Sequence, residues 1–287
     1  MSSFTEKILT ATLTMGQGPS GDAPGETLTL SGLRMTVDTV KPIGDAMGQM
    51  TMRVFGLSQD VMNRYTSIGT VNLAYKAGNR VTISAGDGGT TPSLIFSGMI
   101  MEAWADYAGA PDVAFNVVAF SGGEALLKTI PVSSFNGETD VAEVMRGLAT
   151  QAGLQFEDGG VKVKRASPYY PGTVLQQIRA CAQEADIWHS IELGKLVIWP
   201  KNAVRPGDIP LISPSTGMVG YPLLNSKGAT IKTLFDPRIR IGGAVRVESS
   251  LPMATGEFPV FNFNHSLSSR VPNGPWFTTM ECSIVPK

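Results

Sequence analysis

The sequence of 287 residues predicts an α+β protein that is mostly β, with two strand-rich regions flanking a small helical module. Three observations carry that expectation. Glycine and proline, at 32 and 19 residues, make close to a fifth of the chain and punctuate it with turns. In the N-terminal third, Met50, Met52 and Val54 alternate with Thr51, Arg53 and Phe55, the period of a half-buried strand. Between Val141 and Ala152 the period changes to that of a helix.

In chain order, Lys7–Leu13, Thr27–Val37, Gln49–Phe55, Arg80–Ala85, Ser93–Ala103 and Asp112–Phe120 read as strands. Asp87-Gly88-Gly89 and Ser121-Gly122-Gly123 read as turns between them, and Ser58–Thr66 as one short helix. Gly16–Gly25, rich in glycine and proline, reads as a mobile loop.

The next segment places Val141, Val144, Met145, Leu148, Ala149 and Ala152 on one helical face. Thr139 or Asp140 supplies its N-cap, and Gly153 stands where a left-handed C-terminal residue belongs. A second helix follows Pro171, opened by the capping box Thr173–Gln176 and burying Val174, Leu175, Ile178, Cys181, Ala182 and Ala185. Two hairpins are expected here. One pairs Leu154–Phe156 with Val161–Val163 through Asp158-Gly159-Gly160, and the other pairs Trp188–Glu192 with Lys195–Trp199 through Leu193-Gly194.

After Pro200 strands return at Asp208–Ile212, Ala229–Phe235, Gly243–Ser249, Val260–Ser266 and Trp276–Ile284. The expected division is residues 1–132, 133–200 and 201–287: a β domain, the α+β module and a second β domain.

Composition narrows the function. Charged residues are 16% of the chain against about 25% in an average soluble domain. Spread over the roughly 11,800 Å² that a folded monomer of this mass exposes, they leave a sparsely charged surface suited to burial by partners. A net charge of −1 removes the usual route to nucleic acid, phosphate neutralisation by clustered Lys and Arg. The most apolar stretch, Leu94–Ala105, is broken by Ser97, Gly98 and Glu102, too short for a membrane span. The N-terminus lacks the apolar core of a signal peptide, so the chain reads as a soluble product of a reducing cytosol.

Two cysteines and two histidines exclude a disulfide framework and offer no zinc spacing, so neither a metal nor a cofactor is expected. Cys181 and His189 form a conceivable nucleophilic pair, but Cys181 falls on the apolar helix face and reads as a buried structural thiol. No G-x-S-x-G elbow, phosphate-binding loop or H-E-x-x-H motif occurs. The scattered Trp104, Trp188, Trp199 and Trp276 read as core or interface anchors; their convergence in one groove would instead make a polysaccharide-binding module. A structural, non-enzymatic role is favoured, and a cell-wall hydrolase working through paired carboxylates is the alternative.

The middle of the chain carries a resemblance. Phe135-Asn-Gly-Glu-Thr-Asp-Val141, Leu148-Ala-Thr-Gln-Ala-Gly-Leu154, Pro168-Tyr-Tyr-Pro171-Gly172-Thr173 and Gly194–Pro200 form an ordered string. It resembles the central domain of baseplate hub proteins of contractile-tailed bacteriophages. Downstream, Gly217-Met-Val-Gly220-Tyr221-Pro222, then Leu234-Phe235-Asp236-Pro237-Arg-Ile239, resembles the start of the hub's second barrel.

The resemblance implies two tail-tube-like β-barrels per subunit and a homotrimer whose six barrels form a pseudo-sixfold ring. Such a ring joins the hexameric tail tube to the trimeric central spike, with tape-measure and inner baseplate proteins as further neighbours. It implies no membrane and no sequence-specific nucleic-acid binding, and a place in the virion baseplate after assembly in the host cytoplasm. With the sequence ending at Lys287, cell-wall cleavage and puncture would fall to other chains. Gly217, Gly220, Tyr221, Pro222, Phe235, Asp236, Pro237, Pro171, Gly172 and Thr173 are the motif positions, shaping turns or contacting neighbouring subunits.

Overall fold

A computed structural model describes residues 5–16, 24–68, 78–226 and 228–283. The N-terminal region contains β1 (Lys7–Gly16), β2 (Pro24–Ser31), β3 (Met35–Pro42), β4 (Gln49–Phe55), α1 (Gln59–Tyr65), β5 (Arg80–Asp87), β6 (Ser93–Asp106) and β7 (Ala114–Phe120). The strands lie in the order β2-β1-β5-β6-β7-β4-β3, every neighbour antiparallel. Alternation decides the inside: Leu9, Ala11 and Leu13 of β1 share one core with Met50, Met52 and Val54 of β4 and with Val81 and Ile83 of β5. β-Bulges between Ile83 and Ser84 and between Ile100 and Glu102 add the local bend that wraps the sheet round this core. Ser58 caps α1 by accepting from the Val61 amide.

Two expectations change here. Thr27–Val37 is not one strand: Gly32, at φ +69°, turns the chain between β2, which pairs with β1, and β3, which pairs with β4. The expected loop Gly16–Gly25 lies mostly outside the described residues, although Gly16 and Pro24 themselves pair in the β1–β2 ladder. Among the described residues no pairing joins β2 to β3 to close a barrel.

The middle module runs α2 (Gly123–Leu127), β8 (Ser133–Ser134), β9 (Glu138–Asp140), α3 (Val141–Ala152), β10 (Gln155–Asp158), β11 (Lys164–Ala166), β12 (Tyr169–Tyr170), α4 (Val174–Ala185), β13 (Ile187–Glu192) and β14 (Lys195–Pro200). Both long helices begin at the expected caps, and the first ends at the expected glycine. Asp140 accepts from the Ala142 amide and Gly153 closes α3 at φ +76°. Thr173 and Gln176 complete the capping box of α4. β13 and β14 form the expected hairpin, with Leu193 and Gly194 both at positive φ in its two-residue turn.

The other expected hairpin does not form. Asp158 Oδ1 accepts from the Gly160 and Val161 amides and turns the chain away, so β10 pairs parallel with β14 and β11 pairs with β9. β14 is therefore the central strand of β10-β14-β13 and is buried on both faces. Leu196 and Ile198 enter the helical core, while Val197 and Trp199 enter the core of the C-terminal region.

That region holds β15 (Leu211–Ile212), β16 (Leu223–Asn225), β17 (Gly228–Leu234), β18 (Ala244–Val247), β19 (Gly256–Ser269) and β20 (Trp276–Ser283). The strand expected over Asp208–Ile212 shrinks to its last two residues, which pair parallel with β18. β19 is the seam of the molecule. Its first part pairs with β18 and its second, from Asn262 to Ser269, pairs with β3; β20 lies along its other side. The β regions thus join into one 13-stranded sheet running from β16 to β2, with β18 and β15 branching from β19. Leu267 and Trp276 cross the seam to pack in the N-terminal core.

Candidate assembly interface

The sheet has two ends. Among the described residues β2 pairs only with β1, and β16 only with β17. A sheet end presents backbone donors and acceptors to another chain and is normally blunted by charge. The β16 end is apolar instead: Tyr221 and Leu223 are 67% and 69% exposed, with Val219 and Leu224 beside them. The run Gly217–Pro222 leads into this edge. Gly217, at φ +110°, accepts at its carbonyl from the Leu234 amide (2.8 Å) and the Thr233 hydroxyl (3.1 Å), which docks the segment on β17. Gly220 turns at φ +73°, and Pro222 is buried where Tyr221 is not.

The remaining motif positions lie elsewhere. Phe235 packs edge-on against His265 and Trp276 at the seam, with ring centroids 5.1 and 5.4 Å apart. The Asp236 amide donates to the Thr278 hydroxyl (3.4 Å), while its carboxylate holds the Arg238 guanidinium at 2.7 and 3.0 Å and sets the turn at Pro237. Pro171, Gly172 and Thr173 sit at the start of α4, where a Cβ on Gly172 would strike Gln176 Oε1 and break the capping box. These residues build turns at three separate places, and only Tyr221 offers a broad exposed side chain.

The groups that sequence alone made candidates for chemistry are buried. Cys181 is inside the helical core, where burial pushes its thiol up to about 11; Cys282 is pushed up to about 12 by the same cause. Burial pushes His189 down to about 4, partly opposed by Asp45 and aided by Arg179. His265, bonded through Nδ1 to the Thr278 hydroxyl at 2.8 Å, is pushed down to about 3 by burial and then by Lys41. Among the described residues no three His, Cys, Asp or Glu side chains come together as a metal site, and no helix is long and apolar enough to cross a membrane. Trp199 is buried against the C-terminal strands and Trp188 packs half-buried at the margin of that core.

Sequence reading missed the polar junction of the module with the C-terminal region. Arg205, from the loop after β14, reaches Glu157 of β10 at 2.8 Å and pairs with Glu192 of β13. Arg205 is almost wholly buried. No periodicity marks a loop residue for burial, and the parallel β10–β14 pairing that brings Glu157 beside Glu192 was not expected.

The protein's fold is shared with tail proteins. It resembles the 43 kDa tail protein of prophage MuSo2 from Shewanella oneidensis with a TM-score of 0.61 at 10% identity, over 97% of this chain and 96% of that one. A tail protein from Neisseria meningitidis gives a TM-score of 0.60 at 10% identity, over 96% of each chain. An E. coli component of the type VI secretion system, described as structurally similar to the T4 bacteriophage tail proteins gp27 and gp5, gives 0.60 at 9% identity over 88% of this chain and 74% of its own. No curated protein matches by sequence. The fold is therefore that of phage-tail proteins. Within that class the chain belongs to the baseplate hub gp41 family, whose model matches residues 8–282.

Proposed function

We propose that this chain is a hub subunit that works by docking and carries out no reaction. Three copies form a pseudo-sixfold ring joining the hexameric tail tube to the trimeric spike, with the tape-measure and inner baseplate proteins alongside. The ring sits in the virion baseplate and is assembled in the host cytoplasm. The observation that carries this reading is the single sheet with unlike open ends; on this reading β16 of one copy meets β2 of the next, a head-to-tail contact of the kind that closes into a ring. On this reading residues 1–132 and 201–287 are the two tube-like units, and residues 133–200 brace them. The outward side of β3 and β4, with Asp38, Thr51 and Arg53, lines the bore, opposite the core-facing Met50 and Met52. Tyr221 and the Gly217–Pro222 turn contact the neighbouring subunit, while the Phe235–Pro237 and Pro171–Thr173 turns support the fold behind it.

The test is complementation of a particle lacking the protein, followed by imaging of its tails. The parent chain restores a threefold ring between tube and spike, whereas the double variant L223K/L224K, folded by circular dichroism, lowers tail assembly at least tenfold. Normal tails with the double variant, or density for the chain away from the tube end, would overturn the proposal.

A further inference from the structure

A cleft of about 180 Å³ opens where the N-terminal sheet, the module and the C-terminal region meet. By that measure one water needs only about 10–15 Å³. Four cationic side chains line it: Lys41 from β3, Lys195 from β14, Arg205 from the loop after β14, and Arg240 from the loop before β18. They face two carboxylates, Glu157 and Glu192, an excess of two positive charges.

Arg205 pairs with both carboxylates, and this triad carries one net negative charge against the three remaining cations. Arg240 spends Nη2 on the Pro206 carbonyl at 3.1 Å, a neutral acceptor. Lys41 Nζ stands 5.4 Å from the centre of the Phe263 ring. Among the described residues Lys41, Lys195 and Arg240 form no ion pair. Burial lowers the Lys41 ammonium from its ordinary value, with Glu192 opposing and Arg205 reinforcing the change, which is the cost of holding that cation away from water. His265 also lines the cleft and, being neutral, adds no further positive charge.

We propose that this cleft binds an oxyanion, a carboxylate or phosphate group, with Lys41 as the principal cation and Arg240 and Lys195 closing round it. The three cations come from three different parts of the chain, so a bound oxyanion ties those parts together at the seam. A carboxylate would come from a docking protein's side chain, a phosphate from solution. Binding is a property of the isolated chain and stands apart from ring formation.

The experiment is calorimetric titration of the purified full-length chain with sodium phosphate and, separately, sodium acetate, at ionic strength held constant with sodium chloride. Saturable binding is expected. An acetate response assigns the site to carboxylates, and a response to phosphate alone assigns it to the free ion. K41M keeps the aliphatic stem over Phe263 and removes the charge, and it weakens binding at least tenfold. K195Q, at a half-exposed position, weakens it about threefold and decides the matter should K41M fail to fold. Absence of saturable heat with both salts, or variants that bind as tightly as the parent, would overturn the proposal.

Discussion

Arg205 Nη2 lies 2.8 Å from Glu157 Oε1, and this contact bolts the loop that leads into the C-terminal region onto β10 of the helical module. The same guanidinium pairs with Glu192, whose side chain is only 10% exposed. An arginine buried between two regions holds them in one orientation, because separating them would strand charge away from water.

Arg205→Met is therefore expected to lower stability by about 3 kcal/mol, the low end for breaking a buried ion pair, since Glu157 keeps part of its hydration. Urea unfolding reads the effect. The triple variant R205M/E157Q/E192Q should recover much of the loss, and a single-variant change below about 1 kcal/mol would refute the assignment.

Gly242 faces the indole of Trp199. It sits at φ +72°, and a Cβ there would lie 2.5 Å from Trp199 Cε2. Left-handed strain and overpacking act together, so Gly242→Ala should cost about 3 kcal/mol. Relief of that cost in W199F/G242A, measured against W199F alone, would identify the indole contact as its source.

Both histidines are buried and neutral, with His189 pushed down to about 4 and His265 to about 3. Their unfolded value is near 6.5. Below that value the unfolded chain binds protons that the folded chain refuses, so stability is full above about pH 6.5 and falls as pH drops toward 4. At pH 5 the loss is roughly 2 kcal/mol per histidine. H265N should remove about half of the decline between pH 7 and 5; an unchanged slope would show that His265 titrates normally in the folded protein.

The thiols test the core directly. Burial pushes Cys181 up to about 11 and Cys282 up to about 12, so neither forms thiolate near neutral pH. A disulfide reagent at pH 8 should label neither in the native protein and both in urea. Rapid labelling of either native thiol would contradict its placement in the core.

The helices were legible because their signals are local. Thr173 and Gln176, three residues apart, satisfy each other's backbone whatever the rest of the chain does, and Gly153 ends α3 because its own backbone allows φ +76°. The β13–β14 hairpin was legible for the same reason, its two-residue turn dictating the register. The apolar run of β14 was visible, but not that its two faces serve different cores.

The exposed Tyr221 and Leu223 follow a different logic. Their sequence reads as an ordinary turn and short apolar stretch, and nothing in it says that β16 ends a sheet. The buried charges at Arg205 were equally hidden, lying 48 and 13 residues from their partners.

Alone, then, the amino-acid sequence determined the mostly-β class, the two amphipathic helices, the cap at each helix start and the tight β13–β14 turn, since each rests on neighbours within a few residues. Tertiary structure decided that β19 leaves β18 for β3 and merges the strand regions into one sheet, that β10 runs parallel to β14, and which strand is left at the sheet's end. The physical reason is that strand partners are chosen by long-range pairing, where hydrogen bonds and buried area depend on segments more than two hundred residues apart.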